Sequence, residues 1–225
     1  MYWSEDSDKS AVIVPDDIVD LAFAIDCPRL PVDHAYALSR ALLQALPWLE
    51  AEDQAGIHLI HGAESGHGWQ RPGDEARQLL QLSRRTRLVL RLPQVRVRDA
   101  RKISGSTLSV GSFVMGIRAA RVRPLSPLTT VFARYVVAHE QEDEDQFLQQ
   151  AADELARMDI VVRKLLCGKS HRFRLPGETV FTRRLMVADL SVEDSVKLQQ
   201  RGLGRGRKLG WGLFLPHKGM APNEN

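Results

Sequence analysis

The densest set of chemistry-bearing residues is the run Gln200 to His217, QRGLGRGRKLGWGLFLPH. Gly202, Gly204, Gly206, Gly210 and Gly212 are interleaved there with Arg201, Arg205, Arg207 and Lys208. Glycine permits positive φ and close backbone approach. Successive N–H groups in such a loop cradle an anion, and guanidinium and ammonium groups add charge-assisted bonds to phosphate. The chemistry implied is phosphate binding, against the plainer alternative of a glycine-rich connection carrying solubilising charge. Two familiar phosphate loops are excluded. No Ser or Thr follows Lys208, as GxxxxGK[ST] requires. A dinucleotide fold needs a strand before the loop and a long βαβ unit around it, whereas a helix is expected before this run and 13 residues follow Gly212.

The charge distribution points the same way. The 225 residues hold 31 Lys+Arg and 28 Asp+Glu, a net +3 that by itself argues against a nucleic-acid binder. Mapped along the chain, Arg84 to Arg134 has 12 basic residues and one acid, Arg163 to Arg184 has 7 and one, and Arg201 to Lys218 has 5 and none. These segments hold 24 of the 31 basic residues, which is the pattern phosphate neutralisation requires. Arg87, Arg91, Arg183 and Arg184 join the glycine-rich residues as candidate anion contacts. The expectation is one cationic face on an otherwise acidic protein, with solvated strand faces as the alternative.

Titratable groups elsewhere are less specific. Asp33 is placed to N-cap a helix beginning at His34. There the helix dipole disfavours imidazolium while free N–H groups favour an incoming phosphate. His58, His61 and His67 invite a metal reading, but in an extended chain His58 and His61 point to opposite faces, and no carboxylate or cysteine completes a ligand spacing. The run Glu140 to Asp145 could suggest Mg²⁺, yet acids suit the start of a helix. Cys27 and Cys167 stand alone, without a CxxC, and fit a reducing, cytoplasmic setting. No apolar run approaches 18 residues, so no transmembrane helix and no membrane partner is expected. The acidic stretch before Pro15 lacks the basic region of a secretory signal.

The elements that position these residues follow from periodicity. Composition, with 44% hydrophobic and 26% charged residues, is that of a folded chain. Ile18 to Ile25 reads as a buried strand, and Leu38, Leu42, Ala45, Leu46 and Leu49 give the next helix one apolar face. Gly56 to Ile60 is a short strand candidate, and Gly62 to Asp74 a loop. Leu79 to Leu82 and Thr86 to Leu92 read as paired strands, Gln94 to Ile103 as strand or short helix, and Thr107 to Ile117 as β. The outline then repeats. Val131 to Ala138 is a strand, Asp145 to Met158 a helix, Ile160 to Leu166 and Thr179 to Val187 strands, and Ser191 to Gln200 a helix opened by Ser191-x-x-Asp194. Leu213 to Leu215 lies in a last strand, with Trp211 and Phe214 in the core. Each half has the βαββαβ order of a ferredoxin-like unit. The fold expected is α+β, two tandem ferredoxin-like, RNA-recognition-motif-like units, with one larger α/β domain as the alternative. The divisions are 1–17 (acidic tail), 18–125 and 126–225.

With these residues in place, the chain resembles the CRISPR-associated endoribonucleases that process precursor CRISPR RNA, of the repeat-associated mysterious protein superfamily, Myxan-like subtype. LPVDHAYALSRAL (Leu30 to Leu42), GIHLIHG (Gly56 to Gly62), SRRTRLVLRLP (Ser83 to Pro93) and LSVEDSVKLQQRGLGRGRKLGWGLFLP (Leu190 to Pro216) carry the resemblance, the last most specifically. The resemblance implies cleavage of CRISPR repeat RNA without a metal or other cofactor. The ribose 2′-OH attacks the adjacent phosphorus, leaving a 2′,3′-cyclic phosphate and a 5′-OH. It further implies retention of the product guide RNA and company with other subunits of a CRISPR surveillance complex. It places His34 as general acid or base. Many such enzymes pair the histidine with a tyrosine or lysine. Tyr36 points about 200° away around the helix and is expected to pack instead. A non-catalytic RNA-binding subunit of an effector complex shares all these features and is the alternative.

Overall fold

The β-branched run near the start of the chain forms β1 (Ile18–Asp26), which alternates Val19, Leu21, Phe23 and Ile25 into the core. The computed structural model describes Pro15 and residues 17–62 and 78–217. Most of the acidic tail, most of the loop expected at Gly62 to Asp74, and His67 lie outside those residues. After the short β2 (Arg29–Pro31), α1 (Ala35–Ala45) adds Leu38, Ala41 and Leu42 to the same core. Each fully buried leucine contributes about 1.5–3 kcal/mol. A single turn, α2 (Trp48–Ala51), leads to β3 (Gly56–Ile57).

β4 (Leu79–Gln81) and β5 (Arg87–Pro93) are both strands, but they do not pair. β5 lies between β3 and β1 and has no free edge, so β4 pairs with β2, Leu80 opposite Leu30. The ambiguous stretch at Gln94 is helical. It runs as a 3₁₀ turn (Gln94–Arg96), α3 (Val97–Ala100) and a second 3₁₀ turn (Arg101–Ile103), with Ala100 and Ile103 reaching the core. β6 (Thr107–Val110) and β7 (Phe113–Pro124) close the first unit as a hairpin. The sheet order is β3-β5-β1-β7-β6.

The second unit contains β8 (Val131–Val137), α4 (Glu144–Arg157), β9 (Lys164–Leu175), β10 (Glu178–Ala188), α5 (Val192–Arg201) and β11 (Phe214–Pro216), in the order β11-β8-β10-β9. α4 opens on the acidic run through a full capping box, Asp143 with Gln146. The Ser191 hydroxyl caps α5 by accepting from the N–H of Asp194 at 3.0 Å. β9 starts later than the apolar pattern suggests, because Ile160 is spent as a core plug before the strand begins. The four principal strands of each unit, β3-β5-β1-β7 and β11-β8-β10-β9, have the antiparallel ferredoxin-like order, so the fold is two such units in tandem. Among the described residues no helix is long and apolar enough to cross a membrane.

Candidate active site

His34 is the residue immediately before α1, and its ring is 2% exposed. Its Nδ1 lies 2.8 Å from the Pro31 carbonyl and its Nε2 accepts from the N–H of Ile60 at 3.1 Å. Because a carbonyl cannot donate and an amide N–H cannot accept, the pair of contacts assigns the neutral ring with the proton on Nδ1. Asp33 lies one residue before the N-cap position, which is His34 and makes no side-chain cap hydrogen bond. Its Oδ2 accepts from the backbone N–H of Arg174 in the second unit, at 3.0 Å. The start of α1 is thereby fastened to β9.

That fastening brings the start of α1 to an aromatic cluster. Ala35 packs with Tyr135, Phe173, Trp211 and Leu59. Tyr135 sits with His61 at 6.1 Å, His171 at 5.4 Å and Phe173 at 4.9 Å between ring centroids. His61 directly follows the Ile60 amide that binds His34. A buried imidazole, a tyrosine and two half-buried imidazoles thus gather where the units meet, which is enough for two-sided proton transfer. Tyr135 and His171 were not singled out by sequence. They lie on separate strands, and only the β8–β10–β9 pairing brings them together.

The glycine-rich segment folds back on itself. The N–H of Leu203 donates to the Gly212 carbonyl at 3.0 Å, and the N–H of Gly212 to the Tyr135 carbonyl at 2.7 Å. Gly212 has φ 66, and a Cβ there would stand 2.0 Å from the Leu203 oxygen. Gly206, at φ 92, would strike Trp211 at 2.3 Å. Gly202 is buried, and Gly206 and Gly210 are half-buried. Arg201, Gly204 and Arg205 are exposed. Arg207 and Lys208 turn inward. Arg207 donates to the carbonyls of Gln200, Arg201 and Gln54, and Lys208 to those of Glu52 and Ala55. These two cations close the end of α5 and clasp the turn before β3. Burial, with Arg91 nearby, pushes the Arg207 guanidinium down to about 10. The N–H of Gly204 donates to the Glu154 carboxylate at 2.7 Å, so an anion already occupies part of the loop.

The other arginine candidates divide. Arg91 is fully buried and cannot meet RNA from that position. It bonds both Asp20 oxygens and also donates to the carbonyls of Gln199 and Phe214, each at 2.8 Å. It is therefore a bolt between the units, a role that a strand pattern placing it beside Arg87 does not reveal. Burial works to raise the Asp20 carboxyl, but Arg91 and His58 hold it well below the usual carboxylate range. Arg183 faces α4, donating to the Glu142 carbonyl at 2.6 Å and lying over Phe147. Arg87 is half-buried on the carbonyls of Arg84 and Thr86, each at 2.8 Å. Arg184 is exposed, over the Phe132 ring at 5.1 Å.

A single cationic face does not form. In the first unit Arg98, Arg101 and Lys102 lie on the helix side of the sheet, whereas Arg121 and Arg123 share the opposite face with Asp20 and Arg91. His58 and His61 do point apart, His58 towards Asp20 at 3.6 Å and His61 towards Tyr135. Tyr36 is 41% exposed rather than packed away. Trp211 and Phe214 are buried as expected.

Comparison with known proteins follows the same lines. The sequence profile of the family described as Cas6 Crispr matches residues 19–219. A protein of Myxococcus xanthus (strain DK1622) named CRISPR-associated endonuclease Cas6 is 30% identical over 198 residues, spanning 88% of this chain and 81% of that protein. Among solved structures, a Cas6-related protein from Pyrococcus furiosus superposes with a TM-score of 0.61 at 12% identity, covering 90% of this chain and 100% of the other. A structure described as an RAMP protein binding different RNA substrates gives 0.57 at 15% identity, covering 89% and 98%. At those identities the superpositions show shared fold, and the profile and the 30% relative show descent. The chain belongs to the Cas6 family.

Proposed function

We propose that this protein is a metal-independent endoribonuclease that cuts CRISPR repeat RNA in precursor transcripts and keeps the mature guide RNA, acting in the cytoplasm alongside other CRISPR subunits. The observation that carries the reading is membership of the Cas6 family across residues 19–219, joined to a relative named as an endonuclease. The gathering of His34, Tyr135, His61 and His171 supports a cleavage by proton transfer. In it the 2′-OH attacks the adjacent phosphorus and the 5′ oxygen leaves, giving a 2′,3′-cyclic phosphate and a 5′-OH. One group must take the 2′ proton and another must give one to the leaving oxygen.

His34 is the proposed proton-transfer residue. Its Nε2 must exchange the Ile60 N–H for RNA before it can accept a proton, so RNA binding and catalysis share one hydrogen bond. Arg201, Gly204, Arg205 and Arg184 are the proposed phosphate contacts on exposed surface, and Arg87 is a further one on half-buried surface. Arg207, Lys208, Gly202, Gly206 and Gly210 hold the loop in shape. The deciding experiment incubates the purified protein with its own repeat RNA in EDTA. One cut with a 2′,3′-cyclic end is expected, and strict dependence on Mg²⁺ overturns the reading. The double engagement of His34 favours one other reading, a non-catalytic RNA-binding subunit, which predicts tight binding and an intact RNA.

A further inference from the structure

The strands beside the aromatic cluster carry matched bulges. Along β10, Leu185 pairs with Ala133 of β8 and with Cys167 of β9, whereas Arg183 pairs with Val136 and with Ser170. Each flanking strand therefore spends one extra residue there, and its alternation reverses. Before the bulges, Val131, Ala133, Leu165 and Cys167 pack with α4 and α5. Beyond them Val136 and Arg183 hold that side, Arg183 by its bond to the Glu142 carbonyl. Tyr135 and His171 consequently turn to the other side, as Phe173 and Val180 do. In unbroken strands both would follow Ala133 and Cys167 under the helices. The bulges thus aim a phenol and an imidazole at the start of α1, where Ala35 shares one cluster with Tyr135 and Phe173.

His34, His61 and His171 gather at this junction, and they are not equivalent. The Nδ1 proton of His34 is held by the Pro31 carbonyl, so its Nε2 is an acceptor. An acceptor can take the 2′ proton, and the leaving 5′ oxygen then needs a separate donor. His61 follows Ile60, whose N–H must let go of His34 before His34 can act, so freeing His34 moves the backbone that carries His61. His171 is held apart from that exchange. It lies in the long β9–β10 ladder, and its carbonyl accepts from the buried Thr182 hydroxyl at 3.2 Å. Its half-buried ring stands edge-on to Tyr135, with centroids 5.4 Å apart. The Tyr135 carbonyl in turn accepts from the N–H of Gly212 at 2.7 Å, so the same strand anchors the glycine-rich segment.

We propose that His171 is the general acid of the cleavage, paired with His34 as its base. The 2′ proton passes to His34 Nε2 as the 2′ oxygen bonds to phosphorus. The bond from phosphorus to the 5′ oxygen breaks, and the His171 imidazolium gives that oxygen its proton. One proton is taken and one is given, and exchange with water resets both rings. The proposal rests on the RNA-cleavage reading above and names the second group that reading requires.

The test measures single-turnover cleavage of two repeat RNAs by wild type, His171→Ala, His171→Gln and His61→Ala. One RNA is natural, and the other has sulfur in place of the 5′ oxygen at the scissile phosphate. A thiolate is a weaker base than an alkoxide and leaves without a proton. Both His171 variants are expected to cut the natural RNA about 10²–10⁴-fold more slowly than wild type, and the sulfur RNA at close to the wild-type rate. That recovery also shows that the variants are folded, since a purely structural role lowers both rates together. An equal loss on both RNAs in both His171 variants, or no loss on the natural one, overturns the proposal. Recovery on sulfur that is confined to His61→Ala overturns it in favour of His61. Wild type that leaves both RNAs intact overturns the cleavage reading itself, a result distinct from wild-type cutting that ignores His171.

Discussion

Asp20 and Arg91 stand opposite each other on β1 and β5, joined by two hydrogen bonds of 2.8 and 2.9 Å, and the same guanidinium reaches two carbonyls of the second unit. Four of its five N–H groups are thus committed inside the protein. Arg91→Ala leaves the Asp20 carboxylate buried without its main partner and is expected to cost about 3–5 kcal/mol. Arg91→Lys restores charge but not the fork, and recovers less than half of the loss. Urea unfolding of the three proteins checks both numbers.

His34→Ala is expected to lower the single-turnover cleavage rate by about 10²–10⁴ while changing RNA affinity by less than about threefold. The substitution also removes the bridge between Pro31 and Ile60, so a stability loss of about 1–3 kcal/mol should accompany it. A variant that is folded, binds and cuts at the wild-type rate removes His34 from the mechanism.

Arg205 and Arg207 are neighbours in sequence with opposite expected behaviour. Arg205→Ala should weaken RNA binding and reduce the slope of log K against log salt by about 0.7–0.9, one phosphate's worth. Arg207→Ala should instead lower the unfolding midpoint, because its donors hold α5 and the turn at Gln54. Glu154→Gln removes the carboxylate from the Gly204 amide and should tighten RNA binding about threefold, within the scale of one charge-assisted bond. Binding titrations across salt separate these effects.

Acid sensitivity should come in two steps. Burial pushes the His58 imidazolium below its ordinary 6.5, against the pull of Asp20. The folded state therefore holds His58 neutral, and the unfolded chain takes up the proton first. Its contribution is complete above 6.5 and is lost as pH falls below it. The Asp20 carboxyl is held below 3.8, so its contribution is present above 3.8 and lost on further acidification. His58→Gln should flatten the upper step and shrink the lower one, which Arg91 still supports, as read from Tm between pH 3 and 8.

Gly212→Ala tests the loop as architecture. With φ 66 and the Leu203 oxygen at 2.0 Å from the new Cβ, the segment cannot keep its path. The expected result is a destabilisation above about 1 kcal/mol and loss of cleavage together. Gly204→Ala, also at positive φ but with open space around its Cβ, should be milder.

The fold was largely legible because hydrophobic periodicity and capping are local signals. Val19, Leu21 and Phe23 announce β1, and Ser191 with Asp194 announces α5. Partner choice was less legible. β4 pairs with β2 because β5 has both edges filled, a fact about strands distant in sequence. The glycine-rich run was recognisable as special, but not the direction of its side chains, since Arg205 and Arg207 look alike in a string. Arg91 was misplaced for the same reason. On a strand of a basic segment it resembles Arg87, and only the docking of the second unit reveals what it bonds. Tyr135 and His171 carried no local spacing signal at all.

The clasp of Lys208 and Arg207 on residues 52–55 has a consequence for the making of the protein. These contacts, like those of Arg91 with Gln199 and Phe214, span more than 100 residues of sequence. During synthesis the first unit emerges with Asp20 and Arg91 facing an empty side, and the turn that Lys208 later secures is held by nothing from the far end. Only when residues 199–214 leave the ribosome can the seam close and His34, Tyr135 and His171 share one environment. On the proposed reading, in which His34 transfers the proton, a chain still lacking residues 199–214 cannot assemble the site.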